Sequence, residues 1–425
     1  MNKNAQFDVR QISIDFGTSF SKSCIVDQSN NIGKVIELGR EIRSLLPSVL
    51  YIPESGPIQI GDDAELQAML DPKGIVRNLK AFLHRQDRLR RNDRSFSVCD
   101  LASELFKFVR TEVRRLYHLD SNASTCDVVI SACSTIRDKE CLGTAVEKAG
   151  FEKVRLIESP LAGFKFWIDG RKEENCPETA VVIDMGAGAI EFSVVEKTDG
   201  GYAVATWFAP DRQAGVNQID GMIWEKLMGS EDAPEIPPQE IPGIRVRLRQ
   251  VKEAFSRNQR PVELLNVNST SIEVSRSLVE ECFNEFFEGT FAGIPGIVKQ
   301  LGERGVVDDA TVLLIGGGAE IANIETRIRE AGWTGNIETA NQPQFAAVLG
   351  AGLEDKFATK ICPEDGSAQP INAETCSKCG YPFWKFDVSN SSDNSRDRNT
   401  CPELDCGFEN EADQSSCQKC GCPLS

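Results

Sequence analysis

Two short stretches of this chain each set one aspartate in a glycine turn between two apolar runs. The first is ISIDFGTSFSKSCIV, residues 12–26, and the second is VVIDMGAGAIEFSVVE, residues 181–196. Each reads as a β-hairpin whose turn exposes backbone N–H groups beside a carboxylate. Such N–H groups cradle phosphate oxygens, and a neighbouring carboxylate can hold the Mg²⁺ or the water that phosphate chemistry needs. One apolar-Asp-x-Gly turn is an ordinary hairpin feature. Two copies, at Asp15 and Asp184 in successive halves of the chain, suggest a duplicated domain closing on one nucleotide. A third glycine turn, Gly316, Gly317 and Gly318 in TVLLIGGGAEIANIETRIREA (residues 311–331), lies between a strand pattern and a helical one. There the backbone can approach a ligand closely at a helix start.

The cysteines suggest a second chemistry. Eight of the 15 fall in residues 362–425. Two related segments, CPEDGSAQPINAETCSKCGYPF (362–383) and CPELDCGFENEADQSSCQKCGCPL (401–424), each end in Cys-x-x-Cys-Gly. This spacing predicts two zinc ribbons. Cys401, Cys406, Cys417 and Cys420 make one set of four, and Cys362, Cys376 and Cys379 are three ligands of the other. Counting back from Cys376 as Cys406 is placed before Cys417 lands on Asp365, the candidate fourth ligand, with Cys422 a spare thiol. Neither His84 nor His118 lies in this region. Such small units have almost no apolar core, so two Zn²⁺ ions would supply most of their folding energy. The tail holds eleven Asp/Glu against five Lys/Arg, which favours a protein partner over nucleic acid. The other seven cysteines, Cys24, Cys99, Cys126, Cys133, Cys141, Cys176 and Cys282, read as small buried hydrophobes.

With 425 residues, the chain is long enough for two to three domains. Its net charge of −17 repels nucleic acid and anionic lipid. No apolar run approaches the roughly 18 residues of a membrane span. MNKNAQFDVRQ at the start lacks the apolar core of a signal peptide. The expectation is a cytoplasmic protein with reduced thiols.

The elements that position these residues alternate strand and helix. DVVISAC (127–133) and KVRLIES (153–159) read as parallel strands joined by the helical STIRDKECLGTAVEKAG. ETANQPQFAAVLGAGLEDKF (338–357) reads as a small-residue helix. Val274, Leu278, Cys282 and Phe286 form an apolar stripe beside Val279, Phe283 and Phe287. EDAPEIPPQEIPG (231–243) reads as a surface loop.

In this order, the motifs resemble the actin-like ATPases, and most closely the nucleotide-binding domain of DnaK-type heat-shock chaperones, over roughly residues 10–355. IDFGTSFS is similar to the family's first phosphate loop, with Asp15, Gly17, Thr18 and Ser19 in register. VVIDMGAGAIEF is similar to the second, with Asp184, Gly186, Ala187 and Gly188. NLKAFL places Lys80 where the family keeps a phosphate-contacting lysine. AGVNQID offers Gly215 near the phosphates, and VKEAFS offers Lys252 and Ser256 to adenine. VLLIGGGAEI resembles the adenosine motif.

The resemblance implies an α/β, duplicated, ribonuclease-H-like fold in two lobes, about residues 10–178 and 179–357 of an ATPase domain at 1–357. A zinc ribbon at 358–384, a linker at 385–400 and a second ribbon at 401–425 would follow. It implies ATP/ADP and Mg²⁺ as cofactors, and a J-domain co-chaperone and a nucleotide-exchange factor as partners. Asp15 and Asp184 would hold Mg²⁺ and water, Lys80 would neutralise the γ-phosphate, and Glu158 would orient water if turned inward.

This chain departs from the family pattern at several positions. A threonine of the second loop is Ala189, and its middle glycine is Ala187. The register of the family's glutamate falls on Ser159, with Glu158 one residue earlier. An arginine after the adenosine glycines is Glu320, and a proline after the strand is Ala132. No segment of these 425 residues resembles the family's peptide-binding domain, and the ribbons are expected where it would follow. The reading is a slow ATPase switch acting on protein partners through the tail. A nucleotide-gated adaptor that does not hydrolyse ATP is the alternative, ahead of a small-molecule kinase and a nucleic-acid-binding ribbon protein.

Overall fold

In the computed structural model, the described residues are 9–27, 32–39 and 44–353, apart from 118–124, 199–200, 210–213, 258–261, 304–309 and shorter gaps. In the tail they are 359–361, 368–370, 377–379, 398–400 and 409–411.

The two aspartate hairpins form as expected and seed two sheets. Strands β1 (Val9–Asp15), β2 (Phe20–Asp27), β3 (Ile32–Val35), β4 (Thr125–Ile130) and β5 (Lys153–Glu158) form the first, in the order β5-β4-β1-β2-β3. Strands β6 (Thr179–Met185), β7 (Ile190–Thr198), β8 (Gly201–Phe208), β9 (Thr311–Ile315) and β10 (Asn336–Thr339) form the second, in the order β8-β7-β6-β9-β10. Directions repeat as well. β1 runs antiparallel to β2 and parallel to β4, as β6 does to β7 and β9. Asp15 pairs across with Lys22 and Val129, and Asp184 with Glu191 and Ile315. The duplication read from the two hairpins is therefore a duplication of sheet topology, with both aspartates at the same station.

The helices cover these sheets with their apolar stripes. Leu105, Phe106, Val109 and Val113 of the helix Val98–Tyr117 join Ile12, Ile14 and Val128 in one core. Phe283, Phe286, Phe287 and Phe291 of the helix Arg276–Phe291 join Ile183, Val312 and Leu314 in another. The β4–β5 crossover is the helix Ile136–Lys148. It starts with a capping box in which the Thr135 hydroxyl accepts the Asp138 N–H at 3.2 Å and the Asp138 carboxylate accepts the Thr135 N–H at 2.7 Å.

The helices Ser159–Ile168 and Ala346–Ala351 lie against each other between the sheets. Phe164 and Leu161 pack with Val182 and Leu313 of the second sheet, while Ala162, Ala347 and Ala351 pack with Val129 and Ile157 of the first. A side chain at Gly350 would overlap the Ala162 carbonyl, so a glycine is required at this crossing.

Several sequence expectations are corrected. Val274 belongs to the strand Thr270–Ser275. The helix begins only at Arg276, where the Ser275 hydroxyl accepts the Leu278 N–H at 3.3 Å. The triple glycine does not start an α-helix but leads into a 3₁₀ turn, Gly317–Glu320, and the helix Ile324–Glu330 comes later. Among the described residues of the 338–357 pattern, the α-helix covers Ala346–Ala351, after the strand Asn336–Thr339. Cys24, Cys126 and Cys282 are buried thiols as expected, while Cys133 and Cys176 are half-buried. Cys99 and Cys141 are not reduced thiols. The helices carrying them pack with the two Cα atoms 5.2 Å apart, within bridging range, and the pair is a disulfide.

Of the metal ligands read in the tail, Cys379 lies in a turn and is exposed. Cys362, Asp365, Cys376, Cys401, Cys406, Cys417 and Cys420 lie outside the described residues.

Candidate functional site

Four loops converge where the two hairpin turns face each other. In the first turn, Gly17 lies so close to the Phe20 carbonyl that no side chain fits. In the second, the Gly186 N–H donates to the Ala189 carbonyl at 3.0 Å. The two turns abut, since a Cβ at Gly188 would overlap Thr18. The segment after β8 is hydrogen-bonded along the second turn: Val216 N–H donates to Gly186 O at 3.1 Å and Asn217 N–H to Ala187 O at 3.0 Å. Gly215 there lies against the backbone of Ala187 and Ala189. The Asn217 amide also donates to the Ser19 hydroxyl of the first turn at 2.7 Å, joining the halves. Gly316, at φ 82°, lies over Asp184, and Gly318 lies over Met185 and Val216. Gly317 differs from its neighbours, because nothing stands within 4 Å of where a Cβ would be. Gly317 is exposed, with open space where a side chain would stand.

The carboxylates of the two hairpins have opposite surroundings. Burial opposes ionisation of Asp15, but the charges of Lys22 and Lys80 and a hydrogen bond from Lys22 outweigh it and hold its carboxyl below the usual range. The Lys22 Nζ lies 2.6 Å from Asp15 Oδ2. Asp184 is pushed up to about 6, first by burial and then by the Glu191 carboxylate directly across the hairpin. The Ser159 hydroxyl donates to Asp184 and opposes that rise, as does the charge of Lys22, while Asp15 adds to it. Glu191 is buried and reaches back to the first sheet, accepting the Ala132 N–H at 3.0 Å and the Ser131 hydroxyl.

Glu158 sits one residue before Ser159. Burial raises its pKa, the charge of Lys139 opposes the rise, and Glu191 adds to it. Its carboxylate lies 3.9 Å from Lys139. It is Ser159 that bonds Asp184. Lys252 is buried and forms an ion pair with Asp220 at 2.8 Å, also donating to the Val216 carbonyl at 2.9 Å. Ser256, one turn further along that helix, lines a cavity of about 280 Å³ with Phe255, Val279, Phe283, Ile321 and Asn323. Lys252 is not part of that wall.

The structure thus brings together Asp15, Gly17, Thr18, Ser19, Asp184, Gly186, Ala187, Gly188, Gly215 and the Gly316–Gly318 turn, with Lys80 acting on Asp15 through its charge. It turns Lys252 away from the cavity wall that Ser256 lines.

Sequence reading missed Lys22, Glu191 and Asn217. Lys22 and Glu191 each stand seven residues after their aspartate. In a two-stranded hairpin with this turn, that separation places them directly opposite it, so hairpin arithmetic alone would have found both. Nothing in the local pattern marks Asn217, because its partner Ser19 is nearly two hundred residues away.

Among the described residues, no three His, Cys, Asp or Glu side chains gather tightly enough to hold an ion by themselves. A bare protein cage for a metal is therefore not what these loops build. They bring glycine backbone, the Thr18 and Ser19 hydroxyls and two carboxylates together.

A family model described as Hsp70 protein matches residues 89–354, more than half of the 425-residue chain. The chain belongs to the Hsp70 family. Its mixed α/β sheets fit an actin-like ATPase fold, and the family supports a nucleotide-binding, chaperone-like function with ATP or ADP and Mg²⁺. The first hairpin and Lys80 precede the matched span and stand on the geometry given above. No helix among the described residues is long and apolar enough to cross a membrane.

Proposed function

We propose that this chain is an ATP-binding switch of the Hsp70 kind. ATP would close the two halves around the ring of loops, hydrolysis would be slow, and the nucleotide state would control protein partners through the tail. The observation that supports the reading is the meeting of the two aspartate turns with the 215–217 segment and the Gly316–Gly318 turn, tied by the Asn217–Ser19 and Val216–Gly186 hydrogen bonds, with Gly317 exposed beside them. Exposed glycine backbone beside the two turns suits a phosphate or ribose lying on it.

The donor set also suits Mg²⁺, a hard cation that takes one or two carboxylates together with phosphate oxygens and water. Asp184, and Asp15 behind it, would hold that ion, which when bound would neutralise charge developing between the phosphates. Thr18, Ser19 and the N–H groups of both turns would orient the phosphates, Lys80 would offset their charge, and the cavity beside Ser256 would take the base.

A second reading is favoured by one contact. Ser159, not a carboxylate, is hydrogen-bonded to Asp184, and the neighbouring Glu158 lies beside Lys139. A hydroxyl in that place cannot accept a proton from water as a carboxylate does. Ala189 also lacks a hydroxyl, and losing one transition-state donor slows such chemistry by about a hundredfold. The protein would then bind ATP as a gated adaptor without turning it over.

The tail reading rests on cysteine spacing. Two Zn²⁺ ions, on Cys362, Asp365, Cys376 and Cys379 and on Cys401, Cys406, Cys417 and Cys420, would fold two ribbons that present an acidic surface to a protein partner. A J-domain co-chaperone and an exchange factor would act on the nucleotide domain, and the protein would work in the cytoplasm. Metal analysis of the purified chain should find two zinc per molecule, falling to one in Asp365→Ala. Unchanged stoichiometry would remove Asp365 from the ligand set.

The deciding experiment is ATP binding and single-turnover hydrolysis with Mg²⁺ for the wild type and Asp184→Ala. Tight binding with slow hydrolysis lost in the variant supports the switch. Tight binding without hydrolysis in either form supports the adaptor. No binding sinks both readings.

A further inference from the structure

The cavity beside Ser256 is tied to the loops of the site on two sides. Its wall includes Ile321, whose N–H donates to the Gly318 carbonyl at 3.1 Å, so the triple-glycine turn runs directly into it. Ser256 stands one helical turn after Lys252, which donates to the Val216 carbonyl at 2.9 Å. At about 280 Å³ the cavity is at the small end of the range usual for small-molecule pockets, roughly 300–1,000 Å³. A space of that size takes one planar ring system and not a whole nucleotide.

Two arginines stand in this wall, and they differ. Arg276 is occupied: its Nε donates to Glu280 at 2.6 Å and its Nη1 to the Phe255 carbonyl at 3.2 Å. The same contact neutralises Glu280, the carboxylate of this wall. Arg327, on the helix Ile324–Glu330, has its guanidinium 5.5 Å from the centre of the Phe287 ring. Among the described residues it makes no hydrogen bond or ion pair. Its Nε is buried, so the two Nη groups are the donors left for whatever enters the cavity. Arg329, on the same helix, is by contrast held by Glu325 and by the Gly335 carbonyl. An aromatic ring beside a guanidinium helps to fix its plane, and a fork of parallel donors matches two acceptors side by side.

We propose that Arg327 reads the base of the bound nucleotide, donating from its Nη groups to acceptors on the purine edge, and that the pocket takes 6-oxopurines at least as well as adenine. A 6-oxopurine presents two adjacent acceptors, O6 and N7, which an arginine fork meets with two hydrogen bonds. Adenine presents N7 alone on that edge, because its 6-amino group is a donor. The second donor of the fork is then left without a partner, which costs affinity. The inference rests on the nucleotide reading above, in which this cavity takes the base, and it adds the class of base and the residue that selects it.

The test is calorimetry on the full chain in Mg²⁺, with ADP, inosine diphosphate (IDP) and 7-deaza-IDP, for the wild type, Arg327→Met and Arg327→Lys. Wild type should bind IDP at least as tightly as ADP. Exchanging IDP for 7-deaza-IDP should cost about tenfold or more, the loss of one hydrogen bond to a charged donor. That comparison needs no variant, so it stands even if substitution at residue 327 disturbs the fold. In Arg327→Met, IDP should weaken on the order of a hundredfold and ADP about tenfold, and the 7-deaza exchange should cost nothing. Arg327→Lys, a point charge without the fork, should lose the advantage of IDP. An arginine that merely packs on Phe287 would lower both nucleotides by one factor and leave their ratio unchanged. That outcome overturns the proposal, as does a wild type that prefers ADP or binds IDP and 7-deaza-IDP alike. If neither nucleotide binds, the nucleotide reading falls and this inference with it. Nucleotide binding whose base preference ignores residue 327 overturns this inference alone.

Discussion

Replacing Lys252 by methionine should destabilise the second half of the chain far more than it weakens nucleotide binding. Its Nζ lies 2.8 Å from Asp220 Oδ1 with both side chains 7 % exposed, and it donates to the Val216 carbonyl at 2.9 Å. The variant leaves a buried carboxylate without its partner, which costs about 3–5 kcal/mol. For a unit of this size that is a fall in melting temperature of roughly 10 °C. Replacing both partners, as Lys252→Met with Asp220→Leu, removes the stranded charge and should return to within about 1 kcal/mol of wild type. Urea unfolding read by tryptophan fluorescence suits the cycle, because Trp224 lies one helical turn beyond Asp220.

The pH dependence has a definite sign. Burial already raises the Asp220 pKa, and Lys252 is the chief influence lowering it, so in the variant it moves higher still. A carboxyl with a raised folded pKa binds more protons folded than unfolded, so stability rises as pH falls through that pKa. The deficit of Lys252→Met should be smaller at pH 5 than at pH 8. A loss under about 1 kcal/mol with a large drop in ADP affinity would refute the structural assignment and return Lys252 to the base-binding role that its helix position suggests.

Other perturbations separate binding from folding. Gly317→Ala enters open space, so it should leave the melting temperature within about 2 °C while weakening ADP binding at least tenfold by calorimetry; unchanged affinity would mean the ligand does not lie there. Glu191→Ala strands the buried Ala132 N–H at a cost of about 1–3 kcal/mol, and Glu191→Gln, which keeps an acceptor, should cost much less. Faster hydrogen exchange at the Ala132 amide in the first variant and not the second would report the lost contact. Cys141→Ala opens a loop that spans 42 residues of sequence and should cost about 2–4 kcal/mol, as should reduction of the wild type. A variant as stable as the oxidised protein would count against the Cys99–Cys141 bond.

The hairpins were legible because their signals are local. An apolar run, an Asp-x-Gly turn and a second run give strand, turn and strand within fifteen residues, and the structure repeats the motif at the same station of two sheets. The β4–β5 crossover was legible for the same reason, its helix being announced by Thr135 and Asp138. Element ends were harder. Val274 has the right spacing for the helical stripe, but residues 270–275 pair with 262–267, and that pairing overrides period. The Gly316–Gly318 turn was placed correctly and its continuation was not, because three glycines give no side-chain contacts from which an α-helix could start.

The charges of the site were legible only in part. Asp15 and Asp184 announce themselves, whereas the roles of Ser159 and Glu191 depend on contacts between segments far apart in the chain. Ser159 was seen as a departure from pattern, yet only packing of the helix Ser159–Ile168 between the sheets brings its hydroxyl to Asp184. The Cys99–Cys141 bond was missed because each cysteine, taken singly, fits an apolar helix face.

The two halves divide the electrostatic work. On the first sheet Asp15 is matched by Lys22 with Lys80 acting on it, and this station is close to neutral. On the second, Asp184 and Glu191 face each other and Ser159 supplies a hydroxyl but no charge, so this station is deficient in positive charge. Glu191 nevertheless stays, because both its oxygens take hydrogen bonds from the 131–132 loop of the other half. The same carboxylate that raises Asp184 therefore ties the two halves together. A cation arriving with nucleotide at Asp184 would relieve the repulsion without breaking that tie, so closure and ligand binding would stabilise each other through the pair. Here Lys22 against Asp15 leaves a paired station on the first sheet, and Glu191 against Asp184 leaves two facing carboxylates on the second.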